Sequence, residues 1–291
     1  MSIEFKNVSK QYKKDVFAIK DINFSINKGI FGLIGRNGAG KTTLMRLLAT
    51  ILQPTYGNIF YEGEDIKVCG NELRSNLGYL PQNTRLQPSL TVFEFLDYIA
   101  MLKGFKDKNE RKKEILRCLE IVGLNTETNK KLSAFSGGML RRAGIAQAIL
   151  GDPKLIIVDE PTVGLDPEER LYFRNLLARI SNNRTILLST HIISDIESIC
   201  ENIGILDSGS LIYNGTVIDL LSTVKEKVWE YEVEIGKEEA FKDKYTVIST
   251  SYVNNKVKVR YVATKNEESA ALKKECTLED AYIYMVGGMK R

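Results

Sequence analysis

The chain has 291 residues, enough for one large domain or two modest ones and for a sizeable buried core. Its 43% hydrophobic and 27% charged residues are ordinary for a globular protein. The net charge of +4, with both signs mixed along the chain, lacks the clustered basic face of a nucleic-acid binder, so no nucleic-acid partner is expected.

Cys69, Cys118, Cys200 and Cys276 lie far apart and form no CxxC or Cys/His metal spacing, which points to reduced thiols in a cytosolic protein. The opening Met1-Ser2-Ile3-Glu4-Phe5 lacks the basic-then-apolar pattern of a signal peptide. No apolar run approaches the roughly 18–20 residues that span a bilayer, so work at a membrane requires another chain to cross it.

In chain order, residues 1–30 read as strands and turns, with Ile3, Phe5 and Val8 first and a second run, residues 18–26, ending at Asn27-Lys28-Gly29. Ile30-Phe31-Gly32-Leu33-Ile34 is a short apolar run of the buried-strand kind. A glycine-rich loop follows, then a helix predicted over residues 41–52 and stopped by Pro54. Residues 56–82 read as β-rich, punctuated by Gly57 and Gly63. Residues 91–102, 110–122 and 139–150 carry helical periodicity, and strand signals return at 155–158 and 185–189. The region reads as an α/β core interrupted by a helical insert. Beyond about residue 218, the stretches 230–235, 246–251 and 256–261 alternate like strands and 278–285 reads as a helix. Residues 221–227 are expected to form a linker.

Gly35-Arg36-Asn37-Gly38-Ala39-Gly40-Lys41-Thr42 matches G-x-x-x-x-G-K-[ST]. Inward-pointing backbone N–H groups bind phosphates, and glycines permit the tight, positive-φ geometry this needs. The following helix aims its free N–H groups and dipole at the anion. Lys41 adds charge for the terminal phosphates, and Thr42 offers a hydroxyl to Mg2+. The apolar run before the motif and the helix after it are the context the motif requires.

Residues 155–158 end in Asp159-Glu160-Pro161. An acid at such a strand end supports the Mg2+ of P-loop enzymes, a role that fits Asp159. On an extended backbone, which Pro161 favours for its predecessor, Glu160 points the other way and faces an in-line water as general base. His191, the only histidine, follows the apolar run at 185–190, and Gln82 follows Leu77-Gly78-Tyr79-Leu80-Pro81. Gly35, Gln82, Asp159, Glu160 and His191 therefore all sit at the carboxyl ends of strand-like runs, the edge where open parallel sheets bind ligands.

Phe135-Ser136-Gly137-Gly138-Met139, with the helical stretch behind it, resembles the LSGGQ signature of ABC ATPases. The order of phosphate loop, Gln82, signature, Asp159-Glu160, Gly164-Leu165-Asp166 and His191 is the order of that family, and the resemblance covers about residues 1–218. It implies an α/β fold class: a P-loop NTPase core with an N-terminal antiparallel β subdomain and a helical insert at about residues 84–150. A small C-terminal α+β domain, residues 219–291, completes the chain.

The resemblance further implies a residue-by-residue assignment. Tyr12 stacks on adenine, and Gly35, Arg36, Asn37, Gly38, Ala39, Gly40, Lys41, Thr42 and Thr43 bind the phosphates of ATP. Thr42 and Gln82 are Mg2+ ligands with Asp159 supporting the ion. Glu160 is the catalytic base, and His191 contacts the γ-phosphate. Ser136, Gly137 and Gly138 form a second anion cradle facing the ATP of a second ATPase chain in a head-to-tail dimer, of identical or different chains, and Asp166 communicates with that chain. The motor drives a transmembrane permease subunit at the cytoplasmic face of the cell membrane, the helical insert gripping it with Gln82 at its hinge. Thr277-Leu278-Glu279-Asp280-Ala281-Tyr282 resembles the ending of ATPases serving ABC-2-type exporters, which favours export over import.

Rival classes fit less well. Chromosome-type ABC ATPases need a long coiled coil between phosphate loop and signature, and residues 43–135 show no sustained heptads. Ribosome-acting members usually join two cassettes, and one phosphate loop is present here. A GTPase or nucleotide kinase predicts neither the signature nor His191, and a catalytically dead subunit does not require Glu160.

Phe135 and Met139 stand where the signature usually has Leu and Gln, with the Ser-Gly-Gly centre intact. Restoring the family residue by Met139→Gln is expected to change steady-state phosphate release by less than about tenfold. A larger change would make position 139 central to catalysis.

Overall fold

The structure, a computed structural model, describes residues 2–83 and 86–287. Met1, the first two residues of the expected helical insert (Thr84 and Arg85) and residues 288–291 of the expected C-terminal domain lie outside the described residues.

The chain opens with a hairpin of β1 (Ile3–Lys13) and β2 (Val16–Ile26), turned through Asp15 at positive φ. Ile3 and Phe5 are buried while Glu4 and Lys6 face out, and Phe5 stacks on Phe24 with ring centroids 4.5 Å apart. β3 (Gly29–Ile34) leads into the phosphate loop and α1 (Lys41–Leu48). The helix is shorter than residues 41–52. Thr50 takes φ 58°, and the N–H groups of Ile51 and Leu52 turn back to the Arg46 carbonyl, so the chain leaves the helix well before Pro54.

β4 (Tyr56–Tyr61) and β5 (Glu64–Asp65) precede α2 (Ile66–Ser75) and β6 (Leu77–Leu80). The expectation of a β-rich stretch over 56–82 thus misses a helix. Asp65 caps it by accepting from the Lys67 N–H, and Ile66, Cys69, Gly70 and Leu73 are buried at helical spacing. α3 (Val92–Leu102) begins with a Thr91/Glu94 capping box, α4 (Lys108–Ile121) with an Asp107 cap, and α5 (Gly137–Ile149) with a Ser136 cap.

β7 (Leu155–Asp159), α6 (Pro167–Ile180), β8 (Thr185–Thr190), α7 (Ile193–Glu197), β9 (Asn202–Asp207) and β10 (Ser210–Thr216) complete the central layer. The large sheet has the order β10-β9-β3-β8-β7-β6, parallel except for β10. Its middle strands are buried on both faces, which is why they read as unbroken apolar runs. Alternate residues divide two cores. Ile156, Val158, Ile186 and Leu188 pack with α3–α6, whereas Leu155, Ile157 and Leu187 pack with α1, α2 and the N-terminal antiparallel sheet β2-β1-β4-β5.

The remainder is α8 (Val217–Ser222), β11 (Val228–Glu234), α9 (Glu238–Lys244), β12 (Thr246–Val253), β13 (Lys256–Val262), β14 (Leu272–Lys273) and α10 (Leu278–Gly287). The strands form an antiparallel sheet, β12-β13-β11-β14, with its own cluster of Val233, Phe241, Tyr245, Val257, Val259 and Tyr261. Residues 221–227 end α8 and turn toward β11, and one of them is buried. Val224 is fully buried, and together with Leu220, Val228, Leu278 and Ala281 it joins the core of the large sheet. All four cysteines are free thiols. No helix among the described residues is long and apolar enough to cross a membrane.

α10 is tied to the C-terminal sheet by an ion pair. Asp280, fully buried, accepts from Arg260 Nε at 2.8 Å and Nη2 at 2.6 Å, and from the Thr277 N–H and hydroxyl. Burial alone pushes the Asp280 carboxyl up, but the Arg260 guanidinium and the Thr277 donors overcome it and hold it below its ordinary value. A carboxyl depressed in the folded state contributes stability that is full above its unfolded value of about 3.9 and is lost as pH falls through the lower folded value. Arg260→Ala, which leaves the buried Asp280 carboxylate with only its Thr277 donors, is expected to cost the full chain about 3 kcal/mol in urea unfolding at neutral pH. The variant's stability should also fall less steeply than wild type below about pH 4.

Candidate functional site at the strand ends

The parallel register brings one end of every central strand to a common edge. Ile34 of β3 lies beside Thr190 of β8, Asp159 of β7 beside Ser189, and Leu80 of β6 beside Val158. Gly35, Gln82, Glu160 and His191 follow directly or within two residues, and Asp159 ends its own strand, so the convergence expected from the apolar runs is observed.

The phosphate loop is tight. Gly40 caps α1 at φ 108°, and a Cβ there would lie 2.5 Å from the Ala18 carbonyl oxygen. At Gly35 a Cβ would lie 2.5 Å from the Leu206 carbonyl oxygen. The loop closes through Ala39 N–H to the Arg36 carbonyl (3.1 Å), and the Ala39 carbonyl accepts from Gly209 N–H (3.1 Å) in the turn after β9. Asn37, Gly38, Ala39, Gly40, Lys41, Thr42 and Thr43 line one cavity with Gln82 and Glu160.

A chain of charged side chains runs along this edge. Lys41, only 5% exposed, donates to the Gly35 carbonyl (2.6 Å) and the Arg36 carbonyl (3.2 Å). Its ammonium also stands 2.9 Å from Glu160 Oε1, an ion contact without hydrogen-bond geometry. Glu160 Oε2 lies 2.8 Å from His191 Nδ1. Against an ionised carboxylate that nitrogen carries the proton. Glu160 is buried, whereas the His191 ring is half open to solvent.

The backbone of Glu160 differs from the extended geometry expected before Pro161. Its φ is 48°, in the left-handed region. The residue is held there from both sides: its N–H donates to the carbonyl and hydroxyl of Ser189 (both 3.1 Å), and its carboxylate is fixed by Lys41 and His191. Ser189 Oγ in turn donates to Asp159 Oδ1 at 2.6 Å. Asp159 Oδ2 is buried and has no hydrogen-bond partner among the described residues.

Other predicted site residues occupy separate positions. Tyr12 is exposed, with its hydroxyl 3.4 Å from Thr43 Oγ1 and its ring under the Lys10 ammonium. Ser136 caps α5 by accepting from Met139 N–H (3.2 Å), and Met139 itself packs against the core. Ser136, Gly137, Gly138 and Asp166 do not line the phosphate-loop cavity. Gly137 instead lines a second cavity with Asn83, Arg141 and residues 163–165, and Gln82 borders both. Asp166 is exposed and caps α6 by accepting from Glu169 N–H (2.8 Å). A Cβ on Gly138 would lie 2.6 Å from the Glu169 carboxyl carbon, and that carboxylate pairs with Arg142 at 2.5 Å.

Sequence reasoning passed over two positioning residues. Ser189 orients both carboxylate positions, and its signal was a polar residue inside an apolar run. Arg141 donates to the Gln82 carbonyl at 2.7 Å and joins the signature helix to the segment after β6. Nothing in the spacing of positions 82 and 141 indicates that contact.

The sequence profile of the ABC transporter family matches residues 19–163. The linearmycin resistance ATP-binding protein LnrL of Bacillus subtilis is 34% identical over 92% of this chain and 86% of its own length. The bacitracin transport ATP-binding protein BcrA of Enterococcus faecalis is 37% identical over 81% of this chain and 75% of its own. The methionine import ATP-binding protein MetN 1 of Bacillus thuringiensis is 37% identical over 77% and 69%. The dimeric post-hydrolysis structure of the ATP-binding cassette MJ0796, bound to ADP and Pi, superposes with a TM-score of 0.67 at 28% identity, covering 74% of this chain and 98% of that one. The chain therefore belongs to the ABC transporter family as an ATP-binding subunit, an ATPase whose hydrolysis of ATP is coupled to transport.

Proposed function

We propose that this chain powers an exporter, binding Mg-ATP at the phosphate loop and hydrolysing it with Glu160 as general base, in a head-to-tail dimer on the cytoplasmic face of a membrane permease. The observation that carries the assignment of the chemistry is the Lys41–Glu160–His191 chain beside the phosphate loop, with Lys41 and Glu160 buried.

Residues 35–43 offer the phosphates a ring of amides, the N-terminus of α1 and the Lys41 ammonium. Phosphate oxygens compete with Glu160 for Lys41, and the freed carboxylate then takes a proton from water while His191 Nδ1 steadies its other oxygen. Contact of the same ring with the γ-phosphate uses Nε2 and needs the doubly protonated imidazole. Tyr12, exposed beside Thr43, is suited to stack on adenine. The orphaned Asp159 Oδ2, with the neutral oxygens of Thr42 and Gln82 at the cavity, fits a divalent cation. These three residues would hold Mg2+, which when bound offsets phosphate charge.

Ser136, Gly137 and Gly138, at the start of a helix and outside their own chain's phosphate cavity, are suited to the ATP of a partner chain, and Asp166 to contact with that chain. The dimeric MJ0796 cassette supports pairing. Residues 1–218 form the ATPase domain in this reading and 219–291 an accessory domain, supported by the separate C-terminal sheet and cluster. Export is supported by the resemblance of Thr277-Leu278-Glu279-Asp280-Ala281-Tyr282 to the ending of ATPases serving ABC-2-type exporters, and the linearmycin resistance protein LnrL matches 92% of the chain.

Glu160→Gln is expected to lower phosphate release by at least about 100-fold, the scale of a lost general base, while trapping a Mg-ATP-dependent dimer visible by size exclusion. Unchanged turnover would remove Glu160 from the role of base. With the co-purified permease in vesicles, ATP outside should drive uptake of the permease's substrate, screened from compounds that include the bacitracin of BcrA, into inside-out vesicles. ATP-driven uptake confined to right-side-out vesicles would reverse the direction.

A further inference from the structure

Two segments carry the charged groups of the site, one after β7 with Glu160 and one after β8 with His191. Close to the sheet they are joined by the Glu160 N–H bonds to Ser189 and by the contact of Glu160 Oε2 with His191 Nδ1. A further bond joins them beyond the site. The Thr162 hydroxyl donates to Asp195 Oδ2 at 2.5 Å. Thr162 is 2% exposed and Asp195 3%, and neither lines the phosphate-loop cavity.

Asp195 stands on a fixed platform. It lies in the first turn of α7, shortly after His191. The next residue, Ile196, is fully buried against β3, where a Cβ on Gly32 would lie 2.5 Å from Ile196 Cδ1. Arg174 of α6 donates to the Ser194 carbonyl at 2.9 Å, and Asp195 N–H donates to the Ile192 carbonyl at 3.1 Å. Thr162 belongs instead to the turn after β7, where its carbonyl accepts from Leu165 N–H at 3.1 Å. Only Pro161 separates it from Glu160, and the proline ring fixes one of the torsions between them. A shift of Thr162 is therefore passed on to Glu160, whose φ of 48° persists only because its surroundings hold it.

We propose that Thr162 and Asp195 form a clasp, and that Asp195 is a positioning residue for hydrolysis. By holding Thr162 it keeps Glu160 in the left-handed conformation, with its carboxylate against His191. The proposal rests on the reading of Glu160 as general base. It assigns the pair to the chemical step rather than to nucleotide affinity, because the bonds of Lys41 to the Gly35 and Arg36 carbonyls involve neither residue.

The test uses full-length Thr162→Val, Thr162→Ser, Asp195→Ala and the double variant of Thr162→Val with Asp195→Ala. Steady-state ATPase kinetics and binding of a fluorescent ATP analogue with Mg2+ are measured on each. Thr162→Val and Asp195→Ala should each lower kcat about tenfold to 100-fold, the scale of a misplaced reacting group, with KM and the analogue's Kd within about twofold. Thr162→Ser keeps the donor and should retain kcat within about threefold of wild type. The double variant should be no slower than the slower single one, because both changes remove the same contact. Asp195→Ala carries the same expectation if Thr162→Val does not fold. Wild-type kcat in Asp195→Ala, a rise in Kd that matches the fall in kcat, or multiplied losses in the double variant would overturn the clasp. Glu160→Gln separates the two readings. Loss of turnover there with wild-type kcat in Asp195→Ala refutes the clasp alone, whereas retained turnover in Glu160→Gln refutes the base itself.

Discussion

Two opposite charges, Lys41 and Glu160, are buried against each other at the rim of the sheet. Taking both from water is costly, and the cost is recovered only if the remaining donors and acceptors are met. Here the Gly35 and Arg36 carbonyls meet the ammonium and His191 meets the carboxylate. That arrangement requires β3, β8 and β7 to end level with one another, since each contributes the residue immediately beyond or at its last pair. The parallel register is thus a functional constraint as well as a packing one. The two apolar cores on either face of the sheet make the register rigid, because a one-residue slip would exchange the faces of every central strand.

Much of this was legible in residues. Strands buried on both sides leave uninterrupted apolar runs, and polar residues just past such runs mark the ligand edge, so residues 30–34, 155–158 and 185–189 indicated both sheet and site. α2 was missed because Gly57 and Gly63 read as turn punctuation of a β-rich stretch. Its signal was Ile66, Cys69, Gly70 and Leu73, a helical rather than two-fold period. α1 ended early through a backbone reversal at Thr50, which no proline announces. The left-handed Glu160 was illegible for a deeper reason: local preference before proline favours extension, and only long-range bonds to Ser189, Lys41 and His191 override it.

The C-terminal segment shows the same interplay. Leu278, Glu279 and Asp280 read equally well as a family ending or as an ordinary helix start. Asp280 serves both as the capping partner of Thr277 and as the buried mate of Arg260, while Leu278 is buried in the main core. A short motif there has structural work sufficient to account for its residue types. Residues 221–227 read as a linker because the pattern shifts beyond about residue 218. Val224 instead carries the main core across to the third sheet.

Gly138 illustrates how one residue answers to two demands. Its amide belongs to the start of the signature helix, but its missing side chain leaves space for the Glu169 carboxylate, which pairs with Arg142 on the same helix. A Cβ at this position would require the Glu169 side chain, which pairs with Arg142, to shift. The space at this position is therefore used within a single chain, by the Glu169 carboxylate. The Arg142–Glu169 pair thus ties the signature helix to α6, the helix that Asp166 caps.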